Sequence, residues 1–222
     1  IIASRAKMGA TSLLVGACLA NLKARHPVAY FSQRLKSSQI KGRLVVLESR
    51  VNGHLIAAGL ASDKDHLALQ NARERLPWTL FRVHAAQRIT LERVDAELFN
   101  YRANMAVIDF TPTIDSDLVK GLHKLRSIAH SHSVALIVRL RLPRGEHEPD
   151  ILELPDLGAC LETCDSALLL HRHGTGRETG GGSDKASIDI VCSHERSGSP
   201  KRLWVDFDHR YAGLSDLHTR SP

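Results

Sequence analysis

The chain has 222 residues, of which 43% are hydrophobic and 24% are charged, and this is ordinary for a soluble globular protein with one α/β domain and a sizeable core. Thirty basic residues against 24 acidic residues give a net charge of +6, which mildly favours a polyanionic partner without identifying nucleic acid. No apolar run approaches the ~20 residues that span a bilayer, and no signal peptide is visible. We therefore expect a cytoplasmic protein with no membrane partner.

Strand-like and helical patterns alternate from the beginning of the chain. An apolar run at 1–3 is followed by a glycine-containing segment at 4–11 and by a helical pattern at 13–22. Further strand-like runs lie at 28–32, 78–83, 105–110, 134–140 and 166–171. Helical patterns lie between them at 40–50, 63–75, 91–101 and 117–131. This alternation predicts an α/β fold with a mostly parallel twisted sheet flanked by helices on both faces.

The last part of the chain has a different pattern. Residues 172–185 are polar and glycine-rich, which is typical of a loop. Runs at 188–192 and 203–207 then predict a C-terminal β-hairpin extension. The sequence contains no internal repeat, and we predict a single domain over 1–222.

Cysteine and histidine do not form a metal-binding motif. Cys160 and Cys164 are four residues apart, but no second pair completes a zinc site. Two His-x-His pairs also lack a third ligand in a recognisable motif. We expect free thiols in a reducing compartment and no zinc.

The segment before the first helix has the pattern of a nucleotide-phosphate loop without its central positive charge. In such loops, backbone N–H groups surround the phosphates, a Lys ammonium contacts the outer phosphates and a Ser or Thr hydroxyl binds Mg²⁺. Gly9 and Thr11 fit this pattern, but Ala10 occupies the Lys position. Lys7 either turns towards the phosphates, as in variant loops, or is a solvated loop lysine. The candidate nucleotide-binding residues in this segment are Lys7, Gly9, Ala10, Thr11 and Ser12, and the resemblance described next adds Asp109.

The order and spacing of these segments resemble the C-terminal RecA-like ATPase domain of the DnaB-type replicative hexameric helicases. Segment 5–11 looks like that family's phosphate loop, and 30–35 (Tyr-Phe-Ser-Gln-Arg-Leu) is similar to its Phe-Phe-Ser-Leu-Glu-Met. Residues 107–110 (Val-Ile-Asp-Phe) resemble its Walker B strand, and weaker likenesses follow at 155–166 and 195–198. The resemblance implies a RecA-like P-loop NTPase fold. It also implies ATP and Mg²⁺ as cofactors, DNA as a partner, and association with replicative helicase subunits or with itself.

The resemblance also implies that the hydrolytic groups of an active member are replaced. Ala10 stands at the Lys position, and Arg34 stands at the position of the Glu that activates the attacking water. The Gln that senses the γ-phosphate falls on or beside Leu140. We treat Ala10, Arg34 and Leu140 as degenerate catalytic positions, and these replacements argue against hydrolysis.

Four other positions carry over from the family. Thr11 and Asp109 are the residues that would hold Mg²⁺. Arg196 retains one of the two basic groups that act on the neighbouring subunit's nucleotide, whereas His194 replaces the Lys.

Arg139, Arg141 and Arg144 are the candidate DNA-binding residues, because they lie on the strand-end segment that faces the central channel in the family. Phosphate contacts of this kind make affinity fall steeply with salt. The alternative is that these arginines pair with the acidic residues at 146–150 of the same segment.

Three functions remain open from sequence. The favoured one is a degenerate member that acts in DNA replication as a non-hydrolysing DNA-, nucleotide- or helicase-binding component. The second is an ATP-dependent replicative DNA helicase domain in which Ala10 is an engineered or tolerated change. The third is nucleotide binding without hydrolysis, through the loop amides and the helix amino terminus.

Overall fold

A computed structural model describes residues 1–113, 116–145, 147–173, 185–196, 198 and 201–218. The strands within these residues are β1 (Ile2–Ser4), β2 (Val28–Ser32), β3 (Phe81–Ala85), β4 (Met105–Asp109), β5 (Ala135–Arg141), β6 (Ser166–His173), β7 (Lys185–Glu195), β8 (Lys201–Asp208) and β9 (Gly213–His218). The helices are α1 (Ala10–Lys23), α2 (Ser37–Ser49), α3 (Gly53–Ala57), α4 (Asp63–Arg75), α5 (Leu91–Asn100), α6 (Leu118–His132) and α7 (Leu157–Thr163). Among the described helices, none is long and apolar enough to cross a membrane.

The strands form one sheet in the order β3-β2-β4-β5-β1-β6-β7-β8-β9. Neighbouring strands from β1 to β6 are parallel, whereas β7, β8 and β9 are added in antiparallel pairings. The carboxyl ends of β1, β2, β4 and β5 therefore lie side by side at one edge of the sheet. In open parallel sheets, ligands bind at this edge.

Two apolar layers cover the sheet. One layer packs β-strand residues such as Ile108 and Leu140 against α5, α6 and α7. The other packs Tyr30 and Val107 against α1 and α2. Because successive side chains of a strand point to opposite faces, Asp109 and Arg139 lie on the α1 side.

Side-chain caps explain where several helices begin. Ser62 Oγ accepts the Asp65 N–H at 3.2 Å, and Asp117 Oδ1 accepts the Lys120 N–H at 3.0 Å. By contrast, α1 begins at Ala10 without a side-chain cap in the described structure. Its first backbone N–H groups therefore keep no side-chain partner, which suits a helix that starts at a ligand site.

The predicted α/β sheet and its C-terminal antiparallel extension are confirmed, with three differences in detail. The predicted strand at 78–83 begins with a 3-10 turn at Trp78–Leu80, because Trp78 Nε1 donates to the Arg73 carbonyl at 2.7 Å. The short α7 and the edge strand β9 are missing from the prediction, since neither has a long apolar repeat. Most of the predicted loop at 172–185 lies outside the described residues, and its two ends belong to β6 and β7.

Gly121 lets α6 pack against the chain that follows β4. A Cβ atom at this position would lie 1.9 Å from the carbonyl oxygen of Pro112 and 2.6 Å from its carbonyl carbon. We predict that Gly121→Ala lowers the free energy of unfolding by about 1–3 kcal/mol, because the helix or the loop must move. Urea denaturation measures this difference.

Gly42 of α2 provides the matched control, since a Cβ there would have no heavy atom within 4 Å. We expect Gly42→Ala to raise the free energy of unfolding by about 0.5–1 kcal/mol through helix propensity alone. If Gly121→Ala were equally stabilising, the close packing of Pro112 on α6 would be wrong.

Candidate functional site

The loop between β1 and α1 keeps the backbone of a phosphate-binding loop. Gly9 precedes α1 with a φ of 94°, in the left-handed region that favours glycine. A Cβ on Gly9 would also lie 2.8 Å from Cδ1 of the buried Ile188. The backbone conformation therefore favours glycine here, and a larger residue would also have to displace the end of the Ile188 side chain.

In the described part of the chain, no contact holds a positively charged side chain over this loop. Ala10 is 3% exposed and belongs to the apolar layer on the α1 side. Lys7 is exposed and has no ion-pair partner in the described part of the chain. Thr11 and Ser12 lie in the first turn of α1, which begins at Ala10 and not at the predicted residue 13. The loop thus retains its glycine and its helix amino terminus but lacks the ammonium group.

Asp109 ends β4 with both of its carboxylate oxygens engaged. Oδ1 accepts from Arg139 Nη1 at 2.8 Å, and Oδ2 accepts from the Tyr30 hydroxyl at 3.0 Å. The side chain of Asp109 is 0% exposed and that of Arg139 is 11% exposed. Burial, together with the charge of Asp109, raises the pKa of Tyr30 above its ordinary value, so its hydroxyl remains a donor.

The strand register explains why these groups meet. Ser32 of β2 is paired with Asp109, and Ile108 of β4 is paired with Val138 of β5. The next position along β5 is Arg139, so a basic side chain arises directly beside the carboxylate. The ion pair is therefore a consequence of parallel pairing across three neighbouring strands.

These contacts do not fit a Mg²⁺ site at Thr11 and Asp109. Mg²⁺ demands nearly octahedral oxygen ligands, and a cation fixed beside a carboxylate weakens the attraction of that carboxylate for a dication. Both oxygens of Asp109 already accept hydrogen bonds, and Arg139 holds a positive charge next to the place that the dication would occupy. The geometry thus opposes the predicted metal ligands.

A cavity of about 250 Å³ opens in front of Asp109, between the ends of β2 and β5. Arg34, which stands at the predicted position of the catalytic Glu, borders this cavity. Its guanidinium is exposed, and no described acidic group pairs with it. The lining residues are Gln33, Arg34, Asp109, Phe110, Thr111, Arg139 and Arg141.

The contribution of β5 to the cavity bears on the predicted γ-phosphate-sensing position, which falls on or beside Leu140. Leu140 is 0% exposed and packs in the apolar layer with α5, α6 and α7. Its neighbours Arg139 and Arg141 point to the other face and line the cavity. The strand-end residue of β5 at this site is therefore Arg141.

The three arginines that the sequence predicts to contact DNA do not form one surface. The side chain of Arg139 is 11% exposed and is paired with Asp109, which argues against the predicted contact of Arg139 with DNA. Arg141 lines the cavity, whereas Arg144 is exposed and lies outside it.

The alternative is that these arginines pair with the acidic residues at 146–150. Among the described residues, Arg141 and Arg144 form no such pair. Glu148 instead contacts Arg202, and Asp150 Oδ1 accepts the Leu152 N–H at 2.9 Å. Glu146 lies outside the described residues. The exposed arginines of this segment therefore keep their charges available.

Arg5 is a structural residue that the sequence analysis does not identify. Its side chain is 5% exposed and joins the phosphate-loop segment to the chain after β5. Nε donates to the Pro143 carbonyl at 3.2 Å, Nη1 to the His147 carbonyl at 2.5 Å, and Nη2 to Glu153 Oε2 at 2.6 Å. These bonds hold the segment after Arg141 beside the cavity.

His194 and Arg196 lie at the opposite edge of the sheet. The antiparallel register places Glu195, at the end of β7, opposite Ser166, the first residue of β6. Arg196 contacts Asp165 at 3.4 Å and donates to the Glu162 carbonyl at 3.2 Å. Neither residue lines the cavity of its own chain.

The described residues contain no group of three or more His, Cys, Asp or Glu side chains that could hold a metal ion. All four cysteines are buried and free of disulfides. Burial raises the pKa of the Cys160 thiol to about 11, which keeps it protonated and unreactive at neutral pH.

Comparison with known proteins places the whole fold in one family. The family described as "DnaB-like helicase C terminal domain" matches residues 1–216. A solved structure titled as a DnaB-like replicative helicase and its interactions with primase superposes with a TM-score of 0.85, at 17% identity over 98% of this chain and 57% of that chain. The RecA-like fold predicted from sequence is thereby confirmed.

Two curated relatives extend over nearly all of the chain. One is the replicative DNA helicase DnaB of Leifsonia xyli subsp. xyli, 22% identical over 98% of this chain and 51% of the relative. The other is a probable replicative DNA helicase of Trieres chinensis, 21% identical over 97% of this chain and 52% of the relative. The chain thus spans about half the length of the relatives that it matches.

The buried pair of Asp109 and Arg139 yields a stability prediction. We expect Arg139→Met to lower the free energy of unfolding by about 3–5 kcal/mol, because it leaves a buried carboxylate without its cation. Arg141→Met, two residues along the same strand, removes an exposed cation and should change stability by less than about 0.5 kcal/mol. Urea denaturation compares the two.

The double variant Arg139→Met/Asp109→Asn separates loss of the pair from loss of packing. It removes the buried charge as well, so we expect it to regain most of the stability that Arg139→Met loses. Equal instability of the single and double variants would contradict an energetic role for the ion pair.

Proposed function

We propose that this chain, which belongs to the family of DnaB-like helicase C-terminal domains, acts in DNA replication as a non-hydrolysing component. In this role it binds DNA, nucleotide or helicase subunits without turning over ATP. The observation that carries the proposal is the engagement of both Asp109 oxygens by Arg139 and Tyr30. A carboxylate whose charge is already balanced by an arginine attracts a metal ion less strongly than a free one.

Hydrolysis of a nucleoside triphosphate needs several groups that act together. Positive charge must lie on the outer phosphates, a metal ion must bridge them, and a group must orient the attacking water. Ala10 offers no charge, and Arg34 is a permanent cation that cannot accept a proton. Each of these functions typically contributes about 10²–10⁴ in rate, so their joint replacement leaves little catalysis.

Binding functions are compatible with the same structure. The fold and the left-handed Gly9 are retained, and the net charge of +6 favours polyanions such as DNA. One solved relative is described with its interactions with primase, and by analogy we propose helicase subunits or a second copy of this chain as partners. His194 and Arg196, at the far edge of the sheet, are the residues that we propose to face such a partner.

The alternative function is an ATP-dependent replicative DNA helicase domain in which Ala10 replaces the lysine. The observation that favours it is that the curated relatives are replicative DNA helicases or a probable one. This alternative requires Arg139 to release Asp109 when nucleotide binds. It also requires another residue, such as Lys7, to supply the missing positive charge.

Measurement of ATP hydrolysis with Mg²⁺ separates the two functions. We predict that the purified chain, with or without single-stranded DNA, shows no turnover above a protein-free control. We predict the same for Ala10→Lys, because that change restores neither the metal ligand nor the water-activating group. Turnover by the unmodified chain that is lost in Asp109→Asn would overturn the proposal. Recovery of turnover by Ala10→Lys alone would favour the helicase.

A further inference from the structure

The cavity in front of Asp109 holds more positive charge than the described structure compensates. Three arginines line it, Arg34, Arg139 and Arg141, against the single carboxylate of Asp109. Asp109 is committed to Arg139. Among the described residues, no ion pair engages Arg34 or Arg141. Two guanidinium groups thus remain at one small cavity, and their mutual repulsion is relieved only by solvent or by an anion.

Arg139 also has hydrogen-bond donors that Asp109 does not satisfy. Its Nη1 donates to the carboxylate, but its buried Nε has no partner in the described part of the chain. A guanidinium presents five N–H donors in a fixed plane, and this plane matches the oxygens of phosphate groups. The other polar side chains at the cavity are Gln33, whose Nε2 donates to the Ile89 carbonyl at 3.3 Å, and Thr111.

The size of the cavity limits what can bind. Its volume of about 250 Å³ is below the range of about 300–1,000 Å³ that is usual for drug-sized ligands. A phosphate or pyrophosphate group suits this space. None of the residues of the glycine loop between β1 and α1 is among those that line the cavity.

We infer that Arg34 and Arg141, supported by Arg139, form a metal-independent binding site for a small phosphoryl anion. The ligand is a phosphate or pyrophosphate group, either free or as the end of a nucleotide. The inference rests on the proposed function, in which Asp109 pairs with Arg139 and holds no metal. It deepens that function by naming the chemistry that the cavity recognises. In this site arginine charge takes the place of a dication.

Isothermal titration of the full chain with sodium pyrophosphate, in phosphate-free buffer with EDTA, tests the site. We expect binding by the unmodified chain, weakened about tenfold by Arg34→Gln or Arg141→Gln, since each change removes one charge-assisted contact. Both residues are exposed, so these variants should remain folded. Arg102→Gln is the matched control, because Arg102 is exposed on the loop before β4, at the opposite edge of the sheet. It should bind like the unmodified chain.

Two further titrations, one with added Mg²⁺ and one with ATP, complete the test. Addition of Mg²⁺ should not strengthen binding, and ATP in EDTA should bind about as tightly as pyrophosphate. The inference is overturned if the unmodified chain does not bind at millimolar pyrophosphate, if binding requires Mg²⁺, or if both arginine variants bind normally. Tighter ATP binding that survives in Arg34→Gln/Arg141→Gln would place the phosphates at the glycine loop and would also overturn it.

Failure of this test and failure of the proposed function are distinguishable. The titration contains no Mg²⁺, so it reports on the anion site whether or not the chain can hydrolyse ATP. Absence of both binding and ATP turnover would remove the anion site and leave the non-hydrolysing role intact. Turnover that depends on Asp109 would instead remove the proposed function.

Discussion

Asp109 and Arg139 face each other across β4 and β5 with little exposure to solvent, and the carboxyl edge of the sheet is organised around their contact. Burying a carboxylate without a cation destabilises the folded protein by several kcal/mol. A buried aspartate at this position therefore requires the arginine beside it. Tyr30 adds a hydrogen bond from β2 to the second oxygen. Each of three adjacent strands therefore contributes one group, and the pair fixes how their ends lie relative to one another.

The same contact determines the chemistry of the edge. A free carboxylate at the end of β4 would attract a dication strongly, whereas a carboxylate neutralised by arginine attracts it less. The charge that remains at the cavity is positive, because Arg34 and Arg141 are added to a pair that is already balanced. Arg5 has a comparable structural role on the other side of β5, where it holds the chain after Arg141 through Glu153. Two buried arginines thus shape the site, and two exposed ones give it its charge.

The sequence was sufficient to predict the fold and the composition of the loop before α1. Alternating helical and strand-like runs specify a parallel sheet, and Gly9 lies where a left-handed residue is needed. The contacts around Asp109 could not be predicted in the same way, because they depend on the register of β5, and a shift of one residue exchanges Leu140 for Arg141 at the cavity. One signal was present. Arg139 interrupts an apolar strand, and a basic residue in such a run is rarely buried without a partner.

Under the proposed function, the internal ion pair also explains how this fold can persist without ATP hydrolysis. A site that binds a metal ion and a polyphosphate is balanced in charge only when both ligands are present, and its isolated groups destabilise the empty protein. In this chain Arg139 supplies the balance for Asp109 permanently, and Ala10 joins the apolar layer beneath α1. The protein without bound ligands therefore has no unpaired buried charge at Asp109. Under the proposed function, the contact that keeps a metal ion from Asp109 is also the one that keeps its buried charge paired, as expected where activity and stability compete for the same residues.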